Sequence, residues 1–115
     1  MKHPESQLQQ SCKRWFDYQY SDLSKMLIAI PNGGARSKTE AAIMKAEGVT
    51  AGAPDMALFI GRSGYNALCI ELKAEKGKQT ALQKAWQADA ERNGNKYIIV
   101  RDIETFINEI NNYLK

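Results

Sequence analysis

The chain has 115 residues, 43% of them apolar and 25% charged, which suits one globular domain over residues 1–115 and argues against a disordered or fibrous protein. Two cysteines without a CxxC pair and a single histidine argue against a disulfide framework or a zinc site, so unpaired buried thiols in a reducing, cytoplasmic compartment are expected. The longest apolar runs are too short to cross a bilayer, the polar start shows no secretory leader, and a net charge of +3 permits a nucleic-acid partner without requiring one.

The segment from Pro4 to about Leu23 reads as an amphipathic helix. Pro4 suits its first turn, Glu5 favours its positive end, and Leu8, Cys12, Trp15 and Phe16 recur on one face. The run MLIAI follows as a buried strand and stops at the turn cluster Pro31, Asn32, Gly33, Gly34. Ser37 and Glu40 have capping-box spacing, so a second helix is expected to reach Glu47 and end at Gly48. Two short strands then form a hairpin around GRSGYN. Thr80 and Gln83 repeat the capping-box spacing before a helix with Leu82, Ala85 and Trp86 on its apolar side, ending near Gly94. KYIIV is another buried strand, and a closing helix carries Ile103, Phe106, Ile107, Ile110 and Leu114 on one stripe. The expected order is helix, strand, helix, two strands, helix, strand, helix.

Alternation along the hairpin sorts Met56, Leu58 and Ile60 with Leu68, Ile70 and Leu72 onto one face. A turn centred on Ser63 sets Met56 across from Ile70 and Leu58 across from Leu68. On the opposite face it sets Asp55 across from Glu71, Ala57 from Cys69 and Phe59 from Ala67. A slip of one residue would destroy this sorting. Directly opposed positions hold β-carbons about 5 Å apart, where two carboxylates repel and a divalent cation between them reverses the sign. Lys73 lies about 7 Å beyond Glu71 on the same face. An ammonium there can orient or help deprotonate an attacking water and offset charge on a phosphate. The competing reading makes Asp55 a turn residue after Pro54, and Glu71 and Lys73 charged guards of an exposed edge.

Together, PNGG at 31–34, Arg36, EGVTAGAPD at 47–55, IELK at 70–73, Gly77 and TALQKAW at 80–86 resemble the virus-type replication-repair nuclease (VRR-NUC) family, a branch of the PD-(D/E)XK superfamily. The E-x-K element alone is common; the ordered combination is specific. The resemblance implies an α/β, restriction-endonuclease-like fold with a mixed central sheet flanked by helices. It also implies a Mg2+- or Mn2+-dependent DNA endonuclease. Asp55 and Glu71 match the metal-binding acidic pair, Lys73 the catalytic lysine, and the Leu72 carbonyl a position that completes the metal shell. Glu5 matches an acidic residue of the first helix that supports a metal or its waters, and Gln83 a helix glutamine near the site. Each of these two also has a plain capping explanation. Trp86 is expected in the core.

Asn32, Gly33 and Gly34 offer backbone amides, and Arg36, Lys38, Lys76 and Lys78 offer charge, for phosphate contacts without base reading. Solvated loop charge is the alternative for all of them. No segment outside a nuclease core is apparent, and standalone relatives look similar to dimeric Holliday-junction resolvases. A homodimer acting on branched DNA is therefore expected, since a two-fold axis supplies paired sites for symmetric cuts. The rival readings are a non-catalytic branched-DNA-binding module and a flap nuclease or exonuclease of the same chemistry.

Overall fold

Helix caps and strand alternation set nearly every element of the fold. The structure, a computed structural model, describes residues 4–31 and 37–115. Helix α1, Pro4–Gln19, buries Cys12 and Phe16. It ends before Leu23 because Tyr20 leaves the helical region (φ −124°, ψ 57°) and the chain tightens into a 3-10 turn over Ser21–Met26. The first strand, β1, is therefore only Leu27–Ala29. Helix α2, Lys38–Ala46, starts at Ser37, whose hydroxyl oxygen accepts the Glu40 N–H at 3.1 Å. Strands β2 (Met56–Leu58) and β3 (Leu68–Leu72) form the hairpin. Helix α3 (Ala81–Arg92), strand β4 (Lys96–Val100) and helix α4 (Ile103–Tyr113) follow, so the expected order of elements holds.

The sheet runs β1-β2-β3-β4. The first two pairings are antiparallel and β3 pairs parallel with β4, with α3 as the crossover. Met56 faces Ile70, Ala57 faces Cys69 and Leu58 faces Leu68, the register that alternation requires. The tip differs by one residue. Ser63 and Gly64 both have positive φ (55° and 84°) and Tyr65 donates its N–H to the Arg62 carbonyl at 2.8 Å, so the turn is a two-residue one centred between them. The extra residue is absorbed between Leu58 and Arg62, and β2 stops short of the Phe59–Ala67 pairing.

One face of the sheet buries Leu27, Met56, Leu58, Leu68, Ile70, Leu72, Ile98 and Val100 against α1 and α4. On the other, Cys69 and Tyr97 pack against Ala90 and the half-buried Trp86 of α3. The apolar side assigned to α3 from sequence requires correction: Leu82 is 59% exposed and Ala85 is exposed. The inward row is Gln83, Trp86, Gln87 and Ala90, at true helical spacing. Two of its members are polar because this face of the sheet carries a buried carboxylate. Both cysteines are buried and free, and burial pushes the thiols up to about 12 for Cys12 and about 11 for Cys69, so they stay protonated. Among the described residues, no helix is long and apolar enough to cross a membrane.

Helix α4 also pins the hairpin tip. The Tyr113 hydroxyl donates to the Ile60 carbonyl at 2.6 Å, and the Ser63 hydroxyl donates to the Tyr113 carbonyl at 2.9 Å. Tyr113→Phe keeps the buried ring and removes one donor. It should cost about 1 kcal/mol and lower Tm by roughly 4 °C in a calorimetric scan. An unchanged Tm would show that apolar packing alone holds the tip to the helix.

Candidate active site

The chemistry of the hairpin begins where its main-chain ladder ends. Asp55 is fixed by its own backbone, since its carbonyl accepts the Ile30 N–H at 2.8 Å and continues the pairing with β1. Extended one step from Met56 and Ile70, the β2–β3 register sets Asp55 across from Glu71; a further step sets Pro54 across from Leu72. Proline has no N–H, so it offers the Leu72 carbonyl no main-chain donor. The Leu72 N–H is taken instead by the Asp55 carboxylate, with Oδ2 at 2.7 Å. Strand N–H and C=O groups of one residue point to the same neighbour, so the Leu72 carbonyl also opens towards Asp55. The adjacent Pro-Asp pair thus ends the ladder and leaves a carboxylate and a carbonyl together.

A close approach elsewhere shapes the same corner. Gly52 has φ 90°, and a Cβ there would lie 2.6 Å from the Leu82 carbonyl oxygen. Only glycine lets the loop before Asp55 lie against the first turn of α3. That contact brings the start of α3 to the acidic pair.

Glu71 and Lys73 do not guard an edge. Their strand is interior to the sheet, and the two residues are only 2% and 8% exposed. Lys73 Nζ lies 3.8 Å from Glu71 Oε2. Gln83 Nε2 donates to the same oxygen at 3.0 Å, and the Tyr97 hydroxyl donates to Oε1 at 3.3 Å. Burial above all, and then the Asp55 charge, push the Glu71 carboxyl up from the ordinary 4.5 to about 7, against the opposing pull of Lys73. The two carboxylates therefore share one small, poorly solvated space.

Gln83 completes a cap and also reaches Glu71. Its Oε1 accepts the Thr80 N–H at 2.9 Å and its own N–H donates to Thr80 Oγ1 at 3.2 Å, completing the capping box. Its Nε2 remains for Glu71. Glu5 places its charge in the first turn of α1, and its Oε2 accepts the Ala74 N–H at 2.9 Å, tying the helix to the loop that follows Lys73. Arg101 also holds that loop: its Nη1 donates to the carbonyls of Gly77 at 2.7 Å and Ala74 at 3.0 Å. Lys76 and Lys78 are exposed on this loop, and Lys38 is exposed at the start of α2. Asn32, Gly33, Gly34 and Arg36 lie outside the described residues.

Tyr97, Gln79 and Arg101 were not anticipated. A tyrosine opening the otherwise aliphatic run YIIV is a weak signal of a buried polar contact; nothing in the sequence marks Gln79 or Arg101. Among the described residues no group of three or more His, Cys, Asp or Glu side chains converges. Two carboxylates and a carbonyl form an all-oxygen donor set of the kind that suits magnesium, which keeps several waters. The shared space of Asp55 and Glu71 fits such an ion because it carries more negative charge than Lys73 alone offsets.

Two comparisons with known proteins agree with this fold, and a third finds no match. No curated protein matches the chain. A solved structure described as a VRR_NUC domain protein superposes with a TM-score of 0.83 at 26% sequence identity, covering 99% of this chain and 90% of that one. The model of the VRR-NUC domain matches residues 1–101, from the start of the sequence through β4 to the arginine that holds the Ala74–Gly77 loop. With its mixed sheet and nuclease-type fold, the chain belongs to the VRR-NUC domain family.

Proposed function

We propose that the protein is a magnesium- or manganese-dependent endonuclease that hydrolyses phosphodiester bonds in branched DNA and works as a homodimer. The observation that carries the reading is that the half-buried Asp55, bonded to the Leu72 N–H, sits beside the buried Glu71 and Lys73 of the adjoining interior strand segment. In hydrolysis a water oxygen bonds to phosphorus, the P–O ester bond breaks, and the departing oxygen gains a proton. Asp55, Glu71 and the Leu72 carbonyl would hold the ion, with Glu5 supporting the edge of the site through the Ala74 loop. A bound divalent ion supplies positive charge to the phosphate and acidifies water.

Lys73 positions the attacking water and offsets charge on the non-bridging oxygens. Gln83 keeps Glu71 in place. Lys76, Lys78 and Lys38, with Asn32, Gly33, Gly34 and Arg36, serve phosphate contacts and carry no base readout. Support for a dimer comes from apolar side chains left exposed on the β1–β2 side of the sheet, Met26, Ile28 and Phe59, and from Ile43 on α2. Symmetric cutting of two strands needs two sites, and a two-fold axis supplies them.

Alanine at Asp55 or Glu71 should lower cleavage of an end-labelled substrate by at least about a hundredfold. Lys73→Ala should lose activity similarly while still showing a magnesium-dependent rise in Tm. Cleavage undiminished in excess chelator would overturn the metal-dependent reading. Among linear, nicked, flap and four-way DNAs, the four-way junction should be cut fastest, by a protein that light scattering shows as a dimer. Its affinity should fall steeply with salt. Equal cutting of linear and branched DNA by a monomer would count against both assignments.

A test without DNA follows from the Glu71 carboxyl. Its folded pKa lies above its unfolded value, so between about 4.5 and about 7 the folded state binds more protons than the unfolded one. This group's contribution therefore declines as pH rises through that window, and the chelated protein should lose stability from pH 5 to pH 8. Asp55→Asn removes the second cause of the shift but not burial, so it should shrink the decline without abolishing it. At pH 8 the same substitution should raise chelated stability by about 0.5 kcal/mol. Magnesium at ten times its Kd should add about 1.4 kcal/mol to the wild type and much less to Asp55→Asn. Equal magnesium shifts in both proteins would mean that Asp55 does not share the ion.

A further inference from the structure

We propose that Tyr97 is a positioning residue for Glu71, and that Gln79 and Gln87 aim its hydroxyl at the carboxylate. The inference rests on the reading of Asp55 and Glu71 as the ion-binding pair and adds what keeps that pair aligned. Tyr97 stands beside Cys69 in the parallel β3–β4 register, on the sheet face that carries Glu71. Its ring lies tilted by 47° against that of Trp86 with centroids 6.3 Å apart, and it is buried among Cys69 and Ala90. The hydroxyl needs partners there, because a buried polar group without them is costly.

Those partners set a direction. Gln79 Nε2 donates to the Tyr97 oxygen at 3.4 Å and to Gln87 Oε1 at 2.9 Å. An amide N–H only donates, so it occupies an oxygen lone pair and leaves the phenol proton for Glu71 Oε1, at 3.3 Å. Helix α3 thus reaches the carboxylate twice: directly from Gln83 to Oε2, and from Gln87 one turn later through Gln79 and Tyr97 to Oε1. Held at both oxygens, the group cannot rotate about its last bond. Each oxygen accepts with one lone pair and keeps the other for a cation shared with Asp55. Outer partners of this kind typically alter metal affinity about 10- to 100-fold when removed.

Tyr97→Phe removes the hydroxyl and keeps the ring. The midpoint of a magnesium titration of the folded protein by isothermal calorimetry, measured without DNA, should rise about tenfold. Cleavage of a labelled junction should need correspondingly more magnesium and recover to within a few-fold of wild type at saturation. Gln79→Leu cuts the relay one step earlier and should move the magnesium midpoint in the same direction by a smaller factor. A wild-type midpoint in Tyr97→Phe overturns the proposal, as does a lower chelated Tm with the midpoint unmoved, which would make the residue merely structural. Should Tyr97→Phe fail to fold, Gln79→Leu decides: a raised midpoint supports the role and an unchanged one overturns it. If the wild-type protein itself binds no magnesium, the ion-pair reading falls and the positioning role with it.

Discussion

Two carboxylates forced into one buried space are the constraint around which the rest of this molecule is arranged. Asp55 and Glu71 meet because an antiparallel register, fixed by the apolar sorting of Met56, Leu58, Leu68 and Ile70, leaves them no other place. A one-residue slip would relieve the repulsion and expose the entire core face. Core burial outweighs the like-charge penalty: each fully buried large apolar side chain contributes roughly 1.5–3 kcal/mol, whereas an opposed charge pair costs at most about 1. The hydrophobic face thus holds the acidic face in an arrangement that it would not adopt alone.

The neighbouring elements then read as answers to that constraint. Lys73 reduces the excess charge, Gln83 and Tyr97 each satisfy one oxygen of Glu71, and the Leu72 N–H satisfies Asp55. Gly52 removes the one side chain that would keep α3 away. Glu5 and Arg101 both fix the loop beyond Lys73. These residues come from α1, the loop before β2, β3, α3 and the end of β4, so the corner unites segments distant in sequence. That distribution explains why the family match runs almost the length of the chain.

Much of this was legible in the sequence where a single local rule decides. Ser37 and Thr80 announced their helices through capping geometry, and alternation alone gave the hairpin register. The tip went astray because Ser63 and Gly64 both take positive φ and insert a two-residue turn, which alternation does not sense. Helix α3 misled for a deeper reason. Apolar periodicity assumes that the inward face is greasy, but this helix covers a buried carboxylate and turns Gln83 and Gln87 inward while Leu82 faces solvent. Tyr97, Gln79 and Arg101 act through contacts that no local pattern encodes, across 26, 18 and 24–27 residues of sequence.

Gln83 shows how closely folding and chemistry are joined here. One end of its amide closes the capping box that starts α3, and the other end holds Glu71. Because the cap fixes the side chain's conformation before any ligand arrives, the bond to Glu71 needs little further loss of rotamer freedom. The same economy recurs at Pro54 and Asp55, where the residue that breaks the strand ladder adjoins the one that replaces it with a carboxylate. Residues of this kind satisfy a structural rule and a chemical one at once, which is why each could be explained by capping or turn geometry alone. Local pattern identifies the cap; only the partner across the fold, a carboxylate almost sealed from water, distinguishes this glutamine from one at an ordinary helix start.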